Sequence, residues 1–291
     1  MTTIAIIAQG EMGAATGRRL TEGGARVVTS LKGRSAASAE RAQRAGMIPV
    51  DGDDQLLAAD FFLSIVPPGE AVALAKELKP ALTRATKKPV YVDCNAIAPE
   101  TAERVGAVLV GTGCAYVDAG IIGPPPAPSA RTIFYASGDA AQALAPLSHC
   151  GLVVRVLDGP IGAASALKMS YAGITKGFTA IGAAMMLGAA QVGCAGDLHK
   201  ELTESQPHLL DWLARQVPRM YPKAYRWVAE MEEISAFLAG NPPAEDMYED
   251  IARFYQRLAK IHDAPRKDDD ELVQLTRFCS GTGDAPARKS A

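Results

Sequence analysis

The stretch that decides the fold is Ile4-Ala5-Ile6-Ile7-Ala8-Gln9-Gly10-Glu11-Met12-Gly13-Ala14, close to the start of a 291-residue chain. Its first four residues are uncharged β-formers, as expected of a strand buried on both faces, and the residues after the second glycine are typical of a helix. This order of strand, glycine turn and helix favours a dinucleotide, because the turn lets the backbone approach a pyrophosphate and the first helical amides attract an anion.

The turn has the spacing A-x-G-x-x-G, with Ala8 in place of the usual first glycine. A glycine pattern alone is weak support, because any tight connection between a strand and a helix can produce one. The pattern stands at the start of a series of strands and helices, and this position favours a dinucleotide site over an ordinary tight turn. The residues predicted to contact the cofactor here are Gln9, Gly10, Glu11, Met12 and Gly13.

The end of the second predicted strand, Ala25–Leu31, decides between the two nicotinamide cofactors. Sites for NAD usually carry an acid about twenty residues past the turn, and no acid lies between Arg26 and Ser38. Two cations and a hydroxyl follow the strand instead, and these groups suit a 2′-phosphate. The predicted cofactor is therefore NADP rather than NAD, and the alternative is a basic turn that is merely solvated. The predicted phosphate contacts are Lys32, Arg34 and Ser35.

The first half of the chain alternates between strand and helix patterns. Further strands are predicted at 47–50, 61–66, 89–93, 114–119 and 131–137, and helices at 14–22, 36–45, 53–59, 70–83 and 101–108. This alternation is typical of an α/β Rossmann domain with a doubly wound parallel sheet. Ligands of such sheets bind beyond the carboxyl ends of the strands. We therefore expect Val66, Pro67, Asn95 and residues 120–126 to face the site.

The strand patterns end near Gly159-Pro160-Ile161-Gly162. We predict a Rossmann domain over 1–160, an all-α domain over 161–280 and a disordered tail over 281–291. The α domain opens with a helix over about 162–192, and shorter helices are predicted at 197–202, 207–217, 223–239, 244–262 and 268–278.

The long helix carries two stripes and many small residues. Helical geometry puts large apolar residues on one stripe and small or polar residues on the other. The apolar stripe is Leu167, Tyr171, Ile174, Phe178, Ile181 and Met185, and the other is Ser165, Lys168, Ala172, Thr175 and Thr179. The second stripe leaves room for a bound molecule beside one lysine. The Gly and Ala content suits close helix packing, including contact with a second subunit.

Composition excludes several classes of function. A formal net charge of −2 gives no electrostatic reason to bind nucleic acid or acidic membranes. Five cysteines without a C-x-x-C pair, and four histidines without metal-ligand spacing, favour a cytoplasmic protein with reduced thiols and no metal site. The uncharged run from Gly177 to Ala195 has about the length of a membrane span, but its Gly and Ala content favours a buried helix.

Several motifs together resemble the β-hydroxyacid dehydrogenase superfamily, which includes the 3-hydroxyisobutyrate and 6-phosphogluconate dehydrogenases. They span nearly the whole chain: Gly10-Glu11-Met12-Gly13, Asp93-Cys94-Asn95-Ala96-Ile97-Ala98-Pro99, Asp118-Ala119-Gly120-Ile121-Ile122-Gly123, and Gly162 through Lys168. The run 224–233 is similar to an uncharacterised bacterial branch of that superfamily. The resemblance implies an NAD(P)-dependent oxidoreductase with a small-molecule substrate, and a homodimer formed through the helical domain.

The resemblance also implies roles for two residues. Lys168 matches the catalytic lysine, a general acid/base on the substrate oxygen; the alternative is a lysine that extends from a buried helix into water. Asn95 matches a polar residue near the nicotinamide, and its alternative is a cap at the end of a strand.

The chain departs from the family pattern at two places. Ala172 stands where the family usually has an asparagine, and Ile122-Gly123-Pro124 stands where it has a Ser-Gly-Gly loop. The predicted substrate site is therefore apolar and roomy. Its residues are Ile122, Gly123, Tyr171, Ala172 and Thr175.

These features predict an NADP-dependent enzyme that interconverts a hydroxyl and a carbonyl on a small to medium, partly apolar hydroxy acid. One alternative is an imine reductase-like NADPH enzyme, with Tyr171 as an available proton donor, although imine reductases characteristically carry Asp or Tyr at the position of Lys168. The other alternative is a protein that binds NADPH without turnover, which the changes at Ile122 and Ala172 would fit.

Overall fold

The computed structural model describes residues 1–265 and 270–282 of the chain. It divides into two compact units, one formed by Met1–Ser170 and the other by the residues from Tyr171 onward. The predicted disordered tail lies outside the described residues apart from Gly281 and Thr282. No helix in the described part of the chain is long and apolar enough to span a membrane.

One sheet forms the centre of the first unit. Its strands are β1 (Thr3–Ile7), β2 (Arg26–Thr29), β3 (Ile48–Pro49), β4 (Phe61–Ser64), β5 (Val90–Asp93), β6 (Tyr116–Ile122), β7 (Ile133–Ser137) and β8 (Val153–Val156). Within the described residues the strand order is β3-β2-β1-β4-β5-β6-β7-β8. The strand order reverses between β1 and β4. Ligands of such sheets usually bind at this switch point, beyond the carboxyl ends of the strands. The predicted fold class is confirmed.

Strand β7 differs from the sequence-based expectation of a fully parallel sheet, because it pairs with β6 in the antiparallel direction. Parallel neighbours need a long crossover, usually a helix, and the segment between Ile122 and Ile133 is short and contains no helix. Strand β8 was not predicted. It is a mostly exposed edge strand, so it lacks the apolar alternation that marks a half-buried strand.

Helices cover both faces of the sheet. They are α1 (Glu11–Glu22), α2 (Ala36–Arg44), α3 (Asp53–Leu57), α4 (Ala71–Arg84) and α5 (Pro99–Leu109), with 3-10 turns at Pro68–Glu70 and Ala141–Cys150. Ile4 and Ile6 belong to one hydrophobic core, whereas Ala5 and Ile7 belong to the other. Successive residues of β1 are therefore buried on opposite faces, which explains why the strand is uncharged throughout.

Helix α6 (Ala163–Val192) begins in the first unit and continues into the second. The second unit adds α7 (Ala195–Ser205), α8 (Pro207–Met220), α9 (Ala224–Phe237), α10 (Pro242–Asp263) and α11 (Glu271–Cys279), with a 3-10 turn at Tyr221–Lys223. The described residues of this unit contain no strand, as the sequence predicts. The predicted start of the last helix, at 268, lies outside the described residues.

A largely buried ion pair joins two helices of the second unit. Lys176 on α6 pairs with Glu230 on α9, and its ammonium lies 5.0 Å from the centre of the Trp227 ring. The Tyr255 hydroxyl on α10 donates to the Lys176 carbonyl at 2.5 Å. Burial, followed by the charge of Glu230, raises the pKa of Tyr255, so this hydroxyl remains a donor. These contacts give Lys176 a structural role.

Candidate functional site

The turn between β1 and α1 has the features of an anion site. Gly10 immediately precedes α1, and no described side chain caps the first turn of that helix. A Cβ on Gly10 would meet no described atom within 4 Å, whereas a Cβ on Gly13 would lie 1.8 Å from the Ala8 carbonyl oxygen. Gly13 is therefore required for close packing of helix on strand, and Gly10 borders open space in which a phosphate could approach the uncapped amides. Glu11 is exposed and Met12 half-buried in the same turn.

Gln9 was predicted to contact the cofactor, and its side chain is fully buried. Its Nε2 donates to the Thr29 hydroxyl and, at 3.0 Å, to the Ser30 carbonyl oxygen. Its Oε1 is buried without a hydrogen-bond partner among the described residues. The side chain of Gln9 thus fastens the turn after β1 to the end of β2.

The basic loop after β2 leads into helix α2. Lys32 and Arg34 are exposed. Ser35 caps the helix, because its hydroxyl accepts from the Ser38 amide at 3.3 Å. Arg41, which was not included in the predicted site, donates from Nε to the Gln9 carbonyl oxygen at 2.8 Å.

The ends of β4 and β5 meet through Asn95. Its Oδ1 accepts from the Val66 amide at 2.6 Å, and its Nδ2 donates to the Ser64 hydroxyl at 2.9 Å. The structure therefore brings Asn95 and Val66 together, with exposed Pro67 next in the chain. The fully buried Cys94 thiol is no nucleophile here, because burial, reinforced by the charges of Asp93 and Asp118, raises its pKa.

Lys168 lies at the carboxyl end of β6. Its Nζ donates to the Ile121 carbonyl oxygen at 2.6 Å. Helix α6 packs directly against the strand at Gly120, where a Cβ would lie 2.6 Å from the Ala164 carbonyl oxygen and 3.1 Å from the Lys168 Cβ. Glycine at position 120 therefore allows the lysine to reach this edge of the sheet.

A buried carboxylate holds the start of α6. Asp118 Oδ2 accepts from the Ser137 hydroxyl at 2.9 Å, the Gly162 amide at 3.0 Å and the Ser165 amide at 3.1 Å. Asp118 Oδ1 accepts from the Ser165 hydroxyl at 2.6 Å. The Ala164 amide in turn donates to the Ser137 hydroxyl at 2.9 Å. This network fixes the first turn of α6, and Lys168 lies one turn further along.

The predicted substrate residues fall in two groups. Ile122 and Gly123 directly follow Ile121, the partner of Lys168; Gly123 has φ +129°, and a Cβ there would lie 2.4 Å from the Arg131 carbonyl oxygen. The other three follow Lys168 on α6 and belong to the second unit. Tyr171 is 52% exposed, Ala172 is buried, and the Thr175 hydroxyl donates to the Tyr171 carbonyl at 2.9 Å.

Comparison with known proteins identifies the family. A family described as the NAD binding domain of 6-phosphogluconate dehydrogenase matches residues 3–148, half of the chain. The chain belongs to the β-hydroxyacid dehydrogenase superfamily. It is an NAD(P)-dependent oxidoreductase. A second family, described as a domain of unknown function, matches residues 189–258 within the helical part of this oxidoreductase.

Three relatives illustrate the similarity. A conserved protein of unknown function, described as structurally similar to 3-hydroxyacid dehydrogenases, is 28% identical, with a TM-score of 0.68 over 90% of this chain and 100% of its own. A Mycobacterium tuberculosis 3-hydroxyisobutyrate dehydrogenase, solved with L-serine, shares the fold at 20% identity, with a TM-score of 0.71 over 94% of this chain and 98% of its own. The 3-hydroxyisobutyrate dehydrogenase of Pseudomonas aeruginosa is 29% identical over 153 residues, 50% of this chain and 49% of that protein.

Sequence reasoning missed two residues of the oxidoreductase's candidate site, Asp118 and Arg41. Asp118 lies in a quoted motif, yet its partners are up to 47 residues away in the sequence. Arg41 lies 32 residues from Gln9. Among the described residues, no group of three or more His, Cys, Asp or Glu could hold a metal ion.

Proposed function

We propose that this oxidoreductase uses NADP to interconvert a hydroxyl and a carbonyl on a small to medium, partly apolar hydroxy acid, with Lys168 as general acid/base. One observation carries the proposal: the Lys168 amine is held 2.6 Å from the Ile121 carbonyl oxygen at the carboxyl end of β6. In a doubly wound sheet, ligands bind at this edge. When bound, the nicotinamide supplies hydride transfer.

Lys168 would handle the proton of the reaction. In oxidation its Nζ takes the hydroxyl proton as the carbon becomes a carbonyl, and in reduction it returns a proton to the oxygen. The contact with Ile121 keeps the amine at the strand end. The Asp118 network supports this position by fixing the helix turn that precedes the lysine.

Residues after β6 support an apolar substrate. The chain there reads Ile122-Gly123-Pro124, and Gly123 cannot be replaced by a residue with a hydroxyl, because a Cβ would collide with the Arg131 carbonyl oxygen. The segment therefore lacks the hydroxyl of the family's Ser-Gly-Gly loop and has the apolar Ile122 side chain in its place. Such a surface favours a hydroxy acid with an apolar substituent over a sugar phosphate.

A substrate screen tests the proposed activity. The full-length protein is mixed with NADP⁺ and small hydroxy acids of increasing apolar size, or with NADPH and either ketoacids or cyclic imines, and NADPH absorbance is followed. We expect turnover with the hydroxy acids and ketoacids, and none with the imines. Tight NADPH binding without turnover of any compound would instead support the non-catalytic alternative, and turnover of imines alone would support the imine reductase alternative.

The NADP preference rests on Lys32, Arg34 and Ser35, and Arg34→Ala tests it. Removing a charge-assisted phosphate contact is expected to weaken NADPH binding about tenfold, with little change for NADH. The dissociation constants are measured by quenching of protein fluorescence. Arg104→Ala, at an exposed position on α5, removes the same charge elsewhere and should leave both constants unchanged. An unchanged ratio of the two constants in Arg34→Ala would exclude this loop as the phosphate site.

The proposed homodimer rests on the apolar stripe of α6. The sequence predicted a buried helix, yet in the single chain seven large apolar side chains of α6 are 37–77% exposed. They are Leu167, Tyr171, Ile174, Phe178, Ile181, Met185 and Val192. At roughly 100 Å² each they present about 700 Å² of apolar surface, close to the ~800 Å² that each partner contributes to a standard interface. We propose that a second copy covers this stripe.

Phe178→Asp is expected to convert the dimer into a monomer, because burying an unpaired carboxylate at the centre of an apolar interface is costly. Light scattering after gel filtration measures the mass against the 30.5 kDa of one chain. Ala107→Asp places the same charge at an exposed position on a different helix, α5, and should leave the dimer intact. A monomeric wild-type protein, or a dimeric Phe178→Asp variant, would rule out the stripe as the interface.

A further inference from the structure

Helix α2 carries an arginine that connects two parts of the cofactor region. Arg41 Nε donates to the Gln9 carbonyl oxygen at 2.8 Å, and Arg41 Nη2 donates to the Ser38 hydroxyl at 2.9 Å. Ser38 lies in the first turn of α2, where its hydroxyl is 3.2 Å from that of the capping Ser35. The half-buried guanidinium therefore links the glycine turn to the start of α2.

The glycine turn is also fastened from its other side. The buried Gln9 side chain donates to Thr29 and to the Ser30 carbonyl oxygen, while the Thr29 hydroxyl donates to the Ile6 carbonyl oxygen at 2.7 Å. The side chain of Gln9 thus binds the end of β2, and its carbonyl binds Arg41 on α2. Arg41 and Gln9 together set the spacing between the turn, the strand end and the helix start.

Arg41 differs from the other cations nearby. Residues 30–45 contain four cations, Lys32, Arg34, Arg41 and Arg44, and one acid, Glu40. Lys32, Arg34 and Arg44 are exposed, whereas Arg41 is half-buried and is held by two hydrogen bonds. A side chain that is already held in place loses less conformational entropy on binding, and an arginine has five N–H donors, of which these bonds use two.

We infer that Arg41 is a positioning and specificity-determining residue for the 2′-phosphate end of the cofactor. The inference rests on the proposed NADP preference and adds to it. Arg41 holds Ser38 and the glycine turn at a fixed spacing, and it places a cation where they meet. A ligand with a 2′-phosphate would bind more tightly because of this cation. The same ligand without the 2′-phosphate would benefit only from the ordered glycine turn.

The test uses two fragments that differ only in that phosphate, adenosine 2′,5′-bisphosphate and AMP, titrated calorimetrically into the full-length protein. We expect Arg41→Ala to weaken binding of the bisphosphate about 10- to 100-fold and binding of AMP much less. Arg41→Lys keeps the charge but has one nitrogen in place of the planar guanidinium, so this variant should retain part of the discrimination between the two fragments. Arg44→Ala removes the same charge three residues further along α2. This variant should prefer the bisphosphate over AMP by the same factor as the wild type.

The outcomes separate this inference from the proposed function. A wild-type protein that binds the two fragments equally would overturn the NADP preference, and the Arg41 assignment with it. A wild-type protein that discriminates, with Arg41→Ala discriminating equally well, would overturn the Arg41 assignment alone. If Arg41→Ala weakens binding of both fragments equally, Arg41 has a purely structural role, and the Arg41 assignment is also overturned. If Arg41→Ala fails to give a cooperative thermal transition, Arg41→Lys is measured instead. A smaller preference for the bisphosphate than in the wild type would support the Arg41 assignment, and an unchanged preference would overturn it.

Discussion

Replacing Lys168 by methionine is expected to lower kcat by about 10²- to 10⁴-fold, the usual contribution of a general acid/base. Methionine occupies a similar volume, so the helix face should remain packed, while the proton donor at the Ile121 carbonyl oxygen is lost. The dinucleotide turn is formed by other elements of the first unit, so NADPH binding should be unchanged. Steady-state kinetics with the best substrate of the screen and fluorescence titration with NADPH measure the two effects.

Two controls separate chemistry from structure. Lys76→Met removes a lysine at an exposed position of α4 and should leave kcat at the wild-type value. Lys168→Ala should regain part of its activity when a small primary amine is added, because the amine can replace the missing proton donor. A merely structural lysine would show no such rescue. Retention of wild-type kcat by Lys168→Met would refute the acid/base assignment.

The elements of the first unit were predictable because their patterns are local. Residues 4–14 show strand, turn and helix within eleven positions, and the buried run at 61–64 has few other interpretations. The antiparallel β7 was not predictable, since its direction depends on the short link after Ile122. Strand β8 was missed because Val153–Val156 is mostly exposed, and exposure removes the periodic signal.

The candidate site was predictable only where a motif marks it. Lys168 and the glycine turn were found through the family resemblance and the local spacing. The carboxylate that holds the start of α6 and the arginine that holds the glycine turn act on residues far away in the sequence, so no local pattern assigns their roles. The apolar stripe of α6 shows a further limit. Its spacing was recognised, but a stripe that packs in the core and one that faces a second subunit have the same pattern.

Asp118→Ala should destabilise the first unit strongly. The variant removes the acceptor of four hydrogen bonds and leaves buried donors of Gly162 and Ser165 unsatisfied. Loss of such a network is expected to lower the free energy of unfolding by ~3–4 kcal/mol. Urea denaturation followed by circular dichroism measures this change through the transition midpoint and slope.

Asp118→Asn separates stability from positioning, because asparagine keeps the volume and one acceptor but directs an amide group toward the donors of α6. We expect a smaller loss of stability than in the alanine variant. We also expect a lower kcat, because Lys168 follows the displaced helix turn. The affinity for NADPH should be unchanged. Asp158→Asn, at an exposed position, should alter none of these quantities. If Asp118→Asn unfolds at the wild-type urea midpoint with wild-type kcat, the buried carboxylate neither stabilises the start of α6 nor positions the lysine. A lower midpoint with wild-type kcat would confine the role of Asp118 to stability, because Lys168 would then keep its position without the Asp118 network.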